Sequence, residues 1–393
     1  MKNKASKPML ILFLIQFLVM VGFGIVIPIL PFLVQKLGGG AISLGVFMAA
    51  YSIMQFFFAP VWGRLSDRIG RRPVLLIGLS GYGLTFFLFG LAGNMYALIF
   101  IRALSGMVSS ATLPTAMAYL ADITEGAERS RSMGMVGAAM GLGMVFGPAL
   151  GGWLGHYSFV TPFFVAGGLA LLVLPFAWFF LPETLRQPVV NPGRKRPEIT
   201  WAVVKDPMFV LFAFNFIMSF GVAMFETTFA WLAAAKVNFG PREIGIVFMV
   251  SGIAGVVIQG GLIGRLVKRF GDARLVIAGT LLCAAGLLLI LWSGNPVSVI
   301  LSTLVFMIGS SLMGPTSSSL VSKYAKDGQG VSLGLFQSFG SLGRIFGPIA
   351  GGTLYGLMMG LPYVTGSVLM LLMLVLGGRR ISGYTVEPVM QEN

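Results

Sequence analysis

The chain has 393 residues, of which 56% are hydrophobic and only 10% charged, and its mean hydropathy is +0.90. Soluble domains carry about 25% charged residues, so the composition predicts a polytopic membrane protein. One cysteine, Cys283, and one histidine, His156, exclude an intrachain disulfide, a zinc cluster and a Cys/His nucleophile pair. No lysine follows a glycine, which excludes a Gly-Lys-Ser/Thr phosphate loop and argues against an intrinsic ATPase. The sequence also lacks a plausible catalytic set, so we do not expect an enzyme.

Twelve apolar segments, each long enough to cross a bilayer as a helix, follow one another along the chain. They are 9–35, 42–62, 73–92, 95–121, 132–156, 160–182, 207–235, 243–264, 274–293, 296–322, 331–356 and 361–378. Residues 183–206 are rich in proline and charge, so we predict a cytoplasmic linker there. The linker separates a six-helix half over 1–182 from a second half over 207–393 that ends in a short cytoplasmic tail.

The distribution of basic residues predicts the orientation of the helices. If the N-terminus is cytoplasmic, only Lys36, Lys236 and Arg242 of the 27 Lys and Arg residues lie on the opposite side. Arg102 and Arg344 lie within helices, and the remaining 22 are cytoplasmic. This asymmetry predicts that both termini are cytoplasmic. It also accounts for the net charge of +14 without nucleic acid as a partner.

The two halves repeat each other in sequence. The segment 63–70 is echoed by 264–271, and the segment 143–152 by 343–352, at offsets of 201 and 200 residues. Parallel repeats of this kind predict two six-helix bundles with a substrate site at their interface, near the middle of the membrane.

A motif of glycines and charges follows the second helix, in a predicted cytoplasmic loop. Its residues are Gly63, Asp67, Arg68, Gly70 and Arg71. The small glycine permits close packing of the helix end, and the carboxylate can accept hydrogen bonds from arginines and helix N-termini. The arrangement resembles the loop signature of the major facilitator superfamily, which implies that fold of two six-helix bundles. The alternative interpretation is a solvated loop that only sets topology.

A second motif lies in the fifth helix and has small-x-x-x-small spacing around a proline. Its residues are Gly143, Gly147, Pro148, Gly151 and Gly152. Such spacing permits close helix packing and a bend. It resembles the antiporter motif of exporters in that superfamily, which implies export. The alternative is that these residues serve packing alone.

Arg102 in the fourth helix resembles the buried arginine of the same exporters, although Ser105 stands where glutamine is usual. Its guanidinium could tune a proton site, bind an anionic group, or form a static pair with an acid or a backbone carbonyl.

Glu226 is the only acid in the interior of a predicted span, since Glu243 stands at the very start of its segment. A carboxylate at this depth costs about 2.5 to 3.5 kcal/mol, which favours a functional role such as carrying a proton. Helical spacing places Asn215, Ser219 and Val222 on the same face, which we predict to line a cavity. The alternative is a fixed salt bridge to Arg102 or Arg344.

The sequence around Glu226 resembles bacterial multidrug efflux pumps of the quinolone type, in the twelve-helix drug:proton antiporter family. The similarity includes Ser219-Phe220-Gly221, Phe225-Glu226-Thr227 and 235–238. It implies proton coupling through acids on the seventh and tenth helices, but Ser311 stands where the second acid is expected, and Arg344 occupies a usually uncharged position. We therefore expect a one-acid scheme in which Glu226, Arg102 and Arg344 take part.

Resemblance and helix position also select the residues expected to bind substrate. They are Phe23, Tyr51, Gln55, Asn215, Phe229 and Phe336. The resulting expectation is a monomeric, proton-coupled antiporter of the bacterial inner membrane that exports amphipathic drugs by alternating access, with no cofactor or metal besides the proton. The alternatives are an exporter of one metabolite, sugar or lipid-linked molecule and, more distantly, a non-transporting membrane receptor.

Overall fold

A computed structural model describes residues 6–185, 208–325 and 329–384, and all regular secondary structure in these ranges is helical. All but the first three residues of the predicted linker lie outside them, as does the tail from residue 385. The helices are α1 (Ser6–Val26), α2 (Leu30–Lys36), α3 (Ala41–Ile69), α4 (Arg71–Leu91), α5 (Met95–Ser109), α6 (Thr112–Ile123), α7 (Gly126–Tyr157), α8 (Thr161–Phe180), α9 (Phe209–Val237), α10 (Pro241–Val257), α11 (Ile263–Phe270), α12 (Asp272–Trp292), α13 (Pro296–Tyr324), α14 (Gln329–Leu357) and α15 (Leu361–Gly383).

These helices confirm the predicted all-α membrane fold. In the described ranges, eleven helical stretches are long and apolar enough to span a membrane. Each coincides with a predicted segment, and the remaining prediction, 331–356, coincides with α14, a helix of 29 residues that contains Arg344.

Three predicted segments are interrupted in the structure. Segment 9–35 is divided into α1 and α2 around Pro28, which has no N–H to continue the helical hydrogen bonds. Segment 95–121 is divided at Ser110 and Ala111. Ser110 lies four residues before Pro114, and in a continuous helix the proline ring would collide with the Ser110 carbonyl. Segment 243–264 contains a π-helical turn over Ile258–Leu262 and extends to Phe270.

The described residues form two compact units. Unit 1 contains residues 6–185 together with Phe239–Gly252, and unit 2 contains the other described residues. The first part of α10 therefore packs with helices of the N-terminal half. Division of the chain into two six-helix halves joined at 183–206 stays a prediction.

The sequence repeat reappears as a repeated helix contact. Within each unit, three glycines spaced four residues apart pack against the backbone of the unit's first spanning helix. The residues that they meet on that helix are also four residues apart. The contacts are Gly143 with Phe17, Gly147 with Val21 and Gly151 with Ile25 between α7 and α1, and Gly343 with Phe216, Gly347 with Phe220 and Gly351 with Met224 between α14 and α9. A Cβ atom at Gly147 would lie 2.6 Å from the Val21 carbonyl oxygen, so these helices approach as closely as glycine permits.

Candidate functional site

Arg102 is a buried cation surrounded by aromatic rings in unit 1. Only 1% of its surface is exposed. Its guanidinium carbon lies 4.4 Å from the centre of the Tyr51 ring, 5.1 Å from that of Phe47 and 5.6 Å from that of Phe23. Among the described residues Arg102 has no carboxylate within 4 Å, and its buried Nε has no hydrogen-bond partner. The static ion pair or carbonyl contact considered for this residue is therefore not present.

Close packing of α3 on α5 positions Tyr51 beside this arginine. A Cβ atom at Gly106 would lie 2.9 Å from the Tyr51 Cα, so only glycine allows this separation of the two helices. The Ser109 hydroxyl donates a hydrogen bond to the Tyr51 hydroxyl at 2.9 Å. Gln55, one turn further along α3, is half-buried and makes no side-chain hydrogen bond to a described residue. Two of the predicted substrate residues, Phe23 and Tyr51, thus lie around Arg102, with ring centres 5.5 Å apart.

Glu226 lies in the middle of α9, between the buried residues Phe225 and Thr227, and is itself half-buried. Thr227 donates its hydroxyl hydrogen to the Ala223 carbonyl at 2.7 Å rather than to the carboxylate. The described residues form three ion pairs, none of which includes Glu226, and its side chain makes no hydrogen bond among them. The fixed salt bridge considered as an alternative is therefore absent from this structure.

Arg344, the other charged residue considered as a partner of Glu226, belongs to the same unit. It lies on α14, is exposed, and donates from Nη2 to the Ser341 hydroxyl at 3.1 Å. No ion pair joins the Glu226 carboxylate to the Arg344 guanidinium.

The face of α9 that carries Asn215 and Ser219 packs against α14. The Asn215 amide donates to the Phe336 carbonyl at 2.7 Å, and a Cβ atom at Gly343 would lie 2.8 Å from the Ser219 Cβ. Asn215 and Phe336, both predicted to bind substrate, are thus joined in a helix contact, and Phe336 is buried. Their roles stay predictions.

Phe229, another predicted substrate residue, is completely buried in unit 2. Its ring centre lies 4.7 Å from that of Phe225, which in turn lies 4.8 Å from that of Phe306 on α13. Ser311, which replaces the expected second acid, is also on α13 and is 8% exposed. A Cβ atom at Gly255 would lie 3.1 Å from the Ser311 hydroxyl oxygen, so this position is closely packed by α10.

The loop motif after α3 is organised by Arg71. Its guanidinium forms ion pairs with Asp67 and with Asp122, the latter at 3.3 Å, and donates to the Ser66 hydroxyl at 2.7 Å. Arg68 is exposed, and a Cβ atom at Gly63 would meet no atom within 4 Å. The close packing predicted at Gly63 is thus not seen here.

The sequence analysis missed Glu183 as a member of this network. Its carboxylate accepts hydrogen bonds from the backbone N–H groups of Arg71 and Arg72, at 2.9 and 3.1 Å, and so caps the N-terminus of α4. A Cβ atom at Gly70, whose φ is +109°, would collide with this carboxylate. The only signal in the sequence was an acid directly after the sixth apolar segment.

Unit 2 carries the equivalent of the Arg71–Asp122 ion pair with its charges reversed. At an offset of 201 residues, Asp272 takes the place of Arg71 and Lys323 that of Asp122, and the two form an ion pair. Both repeats thus have an ion pair at this position, although the basic and the acidic residue have exchanged places.

The antiporter-like motif of α7 has a second packing face. A Cβ atom at Gly152 would lie 2.8 Å from the Gly245 Cα, and one at Gly245 would lie 2.6 Å from the Pro148 carbonyl oxygen. Gly143, Gly147 and Gly151 face α1, whereas Gly152 faces the first part of α10, so the motif joins α7 to two helices at once.

Apolar helices long enough to span a membrane, packed in repeated pairs, define a multi-pass membrane protein. The family description of the Major Facilitator Superfamily matches residues 12–348, and the chain belongs to this superfamily of membrane transporters. The resemblance inferred from the loop and fifth-helix motifs is confirmed.

Relatives of this chain include bacterial drug-resistance proteins. Multidrug resistance protein 1 of Bacillus subtilis is 32% identical over 356 residues, which cover 90% of each chain. The quinolone resistance protein NorA of Staphylococcus aureus is 27% identical over 354 residues, covering 89% of this chain and 90% of NorA. Among solved structures, the human organic anion transporter MFSD10 is 25% identical with a TM-score of 0.70, and the match covers 94% of this chain and 99% of that one.

Proposed function

We propose that this protein is a proton-coupled antiporter that exports amphipathic or lipophilic small molecules by alternating access. The observation that carries the proposal is Glu226, a carboxylate in the middle of a spanning helix with no ion pair or hydrogen bond among the described residues. A carboxylate kept at this depth without a fixed partner is suited to bind and release a proton.

Coupling requires that protonation change the relative stability of the two transport states. When Glu226 is ionised, the nearby charge of Arg344 offsets its own, and when Glu226 is protonated that compensation is lost. One titrating acid is sufficient for such a cycle, which accommodates Ser311 at the position of the second acid. Arg102 is the third charged group that we assign to this machinery.

Substrate chemistry is inferred from the lining and the relatives. The multidrug resistance protein and NorA carry names that refer to drugs and quinolones. The side chains proposed for the substrate site are mainly aromatic, which suits ring-containing amphiphiles. We further propose a monomer in a bacterial inner membrane with both termini cytoplasmic, and the proton as the only coupling ion.

The test is transport by the purified protein in liposomes with an imposed pH gradient. Wild type is expected to move several unrelated fluorescent drugs and quinolones against their gradients. Glu226→Gln should abolish this uphill transport while the protein stays folded, because the side chain can no longer exchange a proton. Glu128→Gln makes the same chemical change at an exposed residue in the first turn of α7 and should leave transport unchanged.

Unchanged uphill export by Glu226→Gln would contradict the proposed coupling. Transport of one metabolite alone, with no drug in the panel moved, would instead favour a dedicated physiological exporter. Folded protein without flux of any compound would favour a receptor.

A further inference from the structure

The charged residues in the middle of the helices do not balance in sign. In the described part of the chain, Arg102, Glu226 and Arg344 are the only charged residues that lie seven or more residues from both ends of their helix. Two of these groups are cations and one is an acid, so cations outnumber acids at these positions. A charge in this environment is costly unless another group compensates it.

Unit 2 contains one of these charges of each sign. Glu226 and Arg344 both belong to it, and neither forms an ion pair with a described residue. If Glu226 binds and releases the coupling proton, its carboxylate is not a permanent anionic site for a cationic ligand. The same carboxylate becomes neutral whenever the proton is bound.

Within unit 1, Arg102 has no carboxylate partner among the described residues. Arg102 is enclosed by Phe23, Phe47 and Tyr51, whose ring faces attract the guanidinium but do not neutralise it. Its Nε is buried without a partner, and so is the Ser105 hydroxyl, which lies one turn further along α5. These unpaired donors are those that an anionic oxygen would satisfy.

The surroundings of Arg102 suggest what else the ligand contains. Phe23 is half-buried rather than fully enclosed, so one side of the ring cluster reaches accessible surface. An aromatic or otherwise flat apolar body could stack there while an attached acidic group meets the guanidinium.

We propose that Arg102 binds the acidic group of the transported molecule, and that the protein prefers anionic aromatic amphiphiles to lipophilic cations. This specificity rests on the transport function proposed above. A carboxylate or sulfonate bound at Arg102 neutralises the uncompensated charge. A quaternary ammonium compound at the same place would add a second positive charge beside Arg102.

The experiment compares two probes with the same ring system and opposite charge, 2-naphthoate and 2-naphthyltrimethylammonium. Binding to the purified full-length protein in detergent is measured by calorimetry, and flux of both probes is measured in liposomes. Wild type is expected to bind naphthoate about 10- to 100-fold more tightly than the ammonium compound, the range for a hydrogen bond to a charged partner.

Variants then assign the preference to one residue. Arg102→Gln should remove the preference for naphthoate, and Arg102→Lys, which keeps the charge, should retain most of it. Arg265→Gln removes an exposed cation of α11 and should have no effect. Thermal unfolding of each variant shows whether it is folded, and Arg102→Lys keeps the test informative if Arg102→Gln does not fold.

The outcomes separate this inference from the proposed function. Tighter binding of the ammonium compound, or equal binding of naphthoate by wild type and a folded Arg102→Gln, would overturn the inference even if proton-driven flux of drugs is present. Arg102-dependent binding of naphthoate without flux of either probe would support the anionic site and contradict the transport function.

Discussion

The sharpest prediction concerns the contact between α1 and α7. Replacing Gly147 by alanine adds a Cβ atom 2.6 Å from the Val21 carbonyl oxygen and 2.9 Å from the Gly24 Cα. Ordinary contact begins at 3.4 Å, so the first of these distances is too short by 0.8 Å. Backbone atoms stand on the opposing side, and no side-chain rotation can relieve the overlap. The two helices must therefore move apart.

Overpacking of this kind costs about 1 to 3 kcal/mol. Alanine also favours the helix over glycine by about 0.8 to 1.0 kcal/mol, so Gly147→Ala should be up to about 2 kcal/mol less stable than wild type. Gly141→Ala is the matched control in the same helix, because a Cβ atom there would meet nothing within 4 Å. It should be unchanged or up to about 1 kcal/mol more stable.

The assay is thermal unfolding in dodecyl maltoside, followed by tryptophan fluorescence. A difference of about 1 to 3 kcal/mol between the two variants corresponds to about 2 to 12 °C in Tm for a unit of this size. Gly347→Ala, at the equivalent contact of α14 with α9, should lower Tm in the same way, since its Cβ atom would lie 2.5 Å from the Phe220 carbonyl oxygen. Equal Tm values for Gly147→Ala and Gly141→Ala would refute the packing argument.

Two further predictions concern the loop motif and the cysteine. Arg71→Ala removes two ion pairs and a hydrogen bond to Ser66 and should cost about 1 to 3 kcal/mol; the exposed Arg68→Ala should change stability by less than about 0.5 kcal/mol. Equal destabilisation in the same unfolding assay would contradict this assignment. Cys283 is completely buried with its Sγ 3.3 Å from the Phe306 carbonyl oxygen, so a membrane-permeant maleimide should label the unfolded protein in sodium dodecyl sulfate and leave the folded protein unlabelled. Rapid labelling of the folded protein would show that α12 and α13 separate readily.

The sequence by itself determined the class of fold and the positions of its spans. A bilayer requires long apolar runs, and a long apolar run is a local property that can be read without knowing what packs against it. The isolation of Glu226 was visible for the same reason, since a carboxylate within such a run is conspicuous. The small-x-x-x-small spacing of the fifth-helix motif predicted close helix packing, and its repeat 200 residues later packs in the same way in unit 2.

Only the tertiary structure decided the partners of the side chains, because these come from segments far apart in the chain. Ser109 and Tyr51 are separated by 58 residues, Glu183 and Arg71 by 112, and Asn215 and Phe336 by 121. No local pattern indicates which of many aromatic residues will enclose Arg102, or that Glu183 will cap α4. The distance at which a side chain meets its partner depends on how whole helices pack, and helix packing is a property of the folded chain.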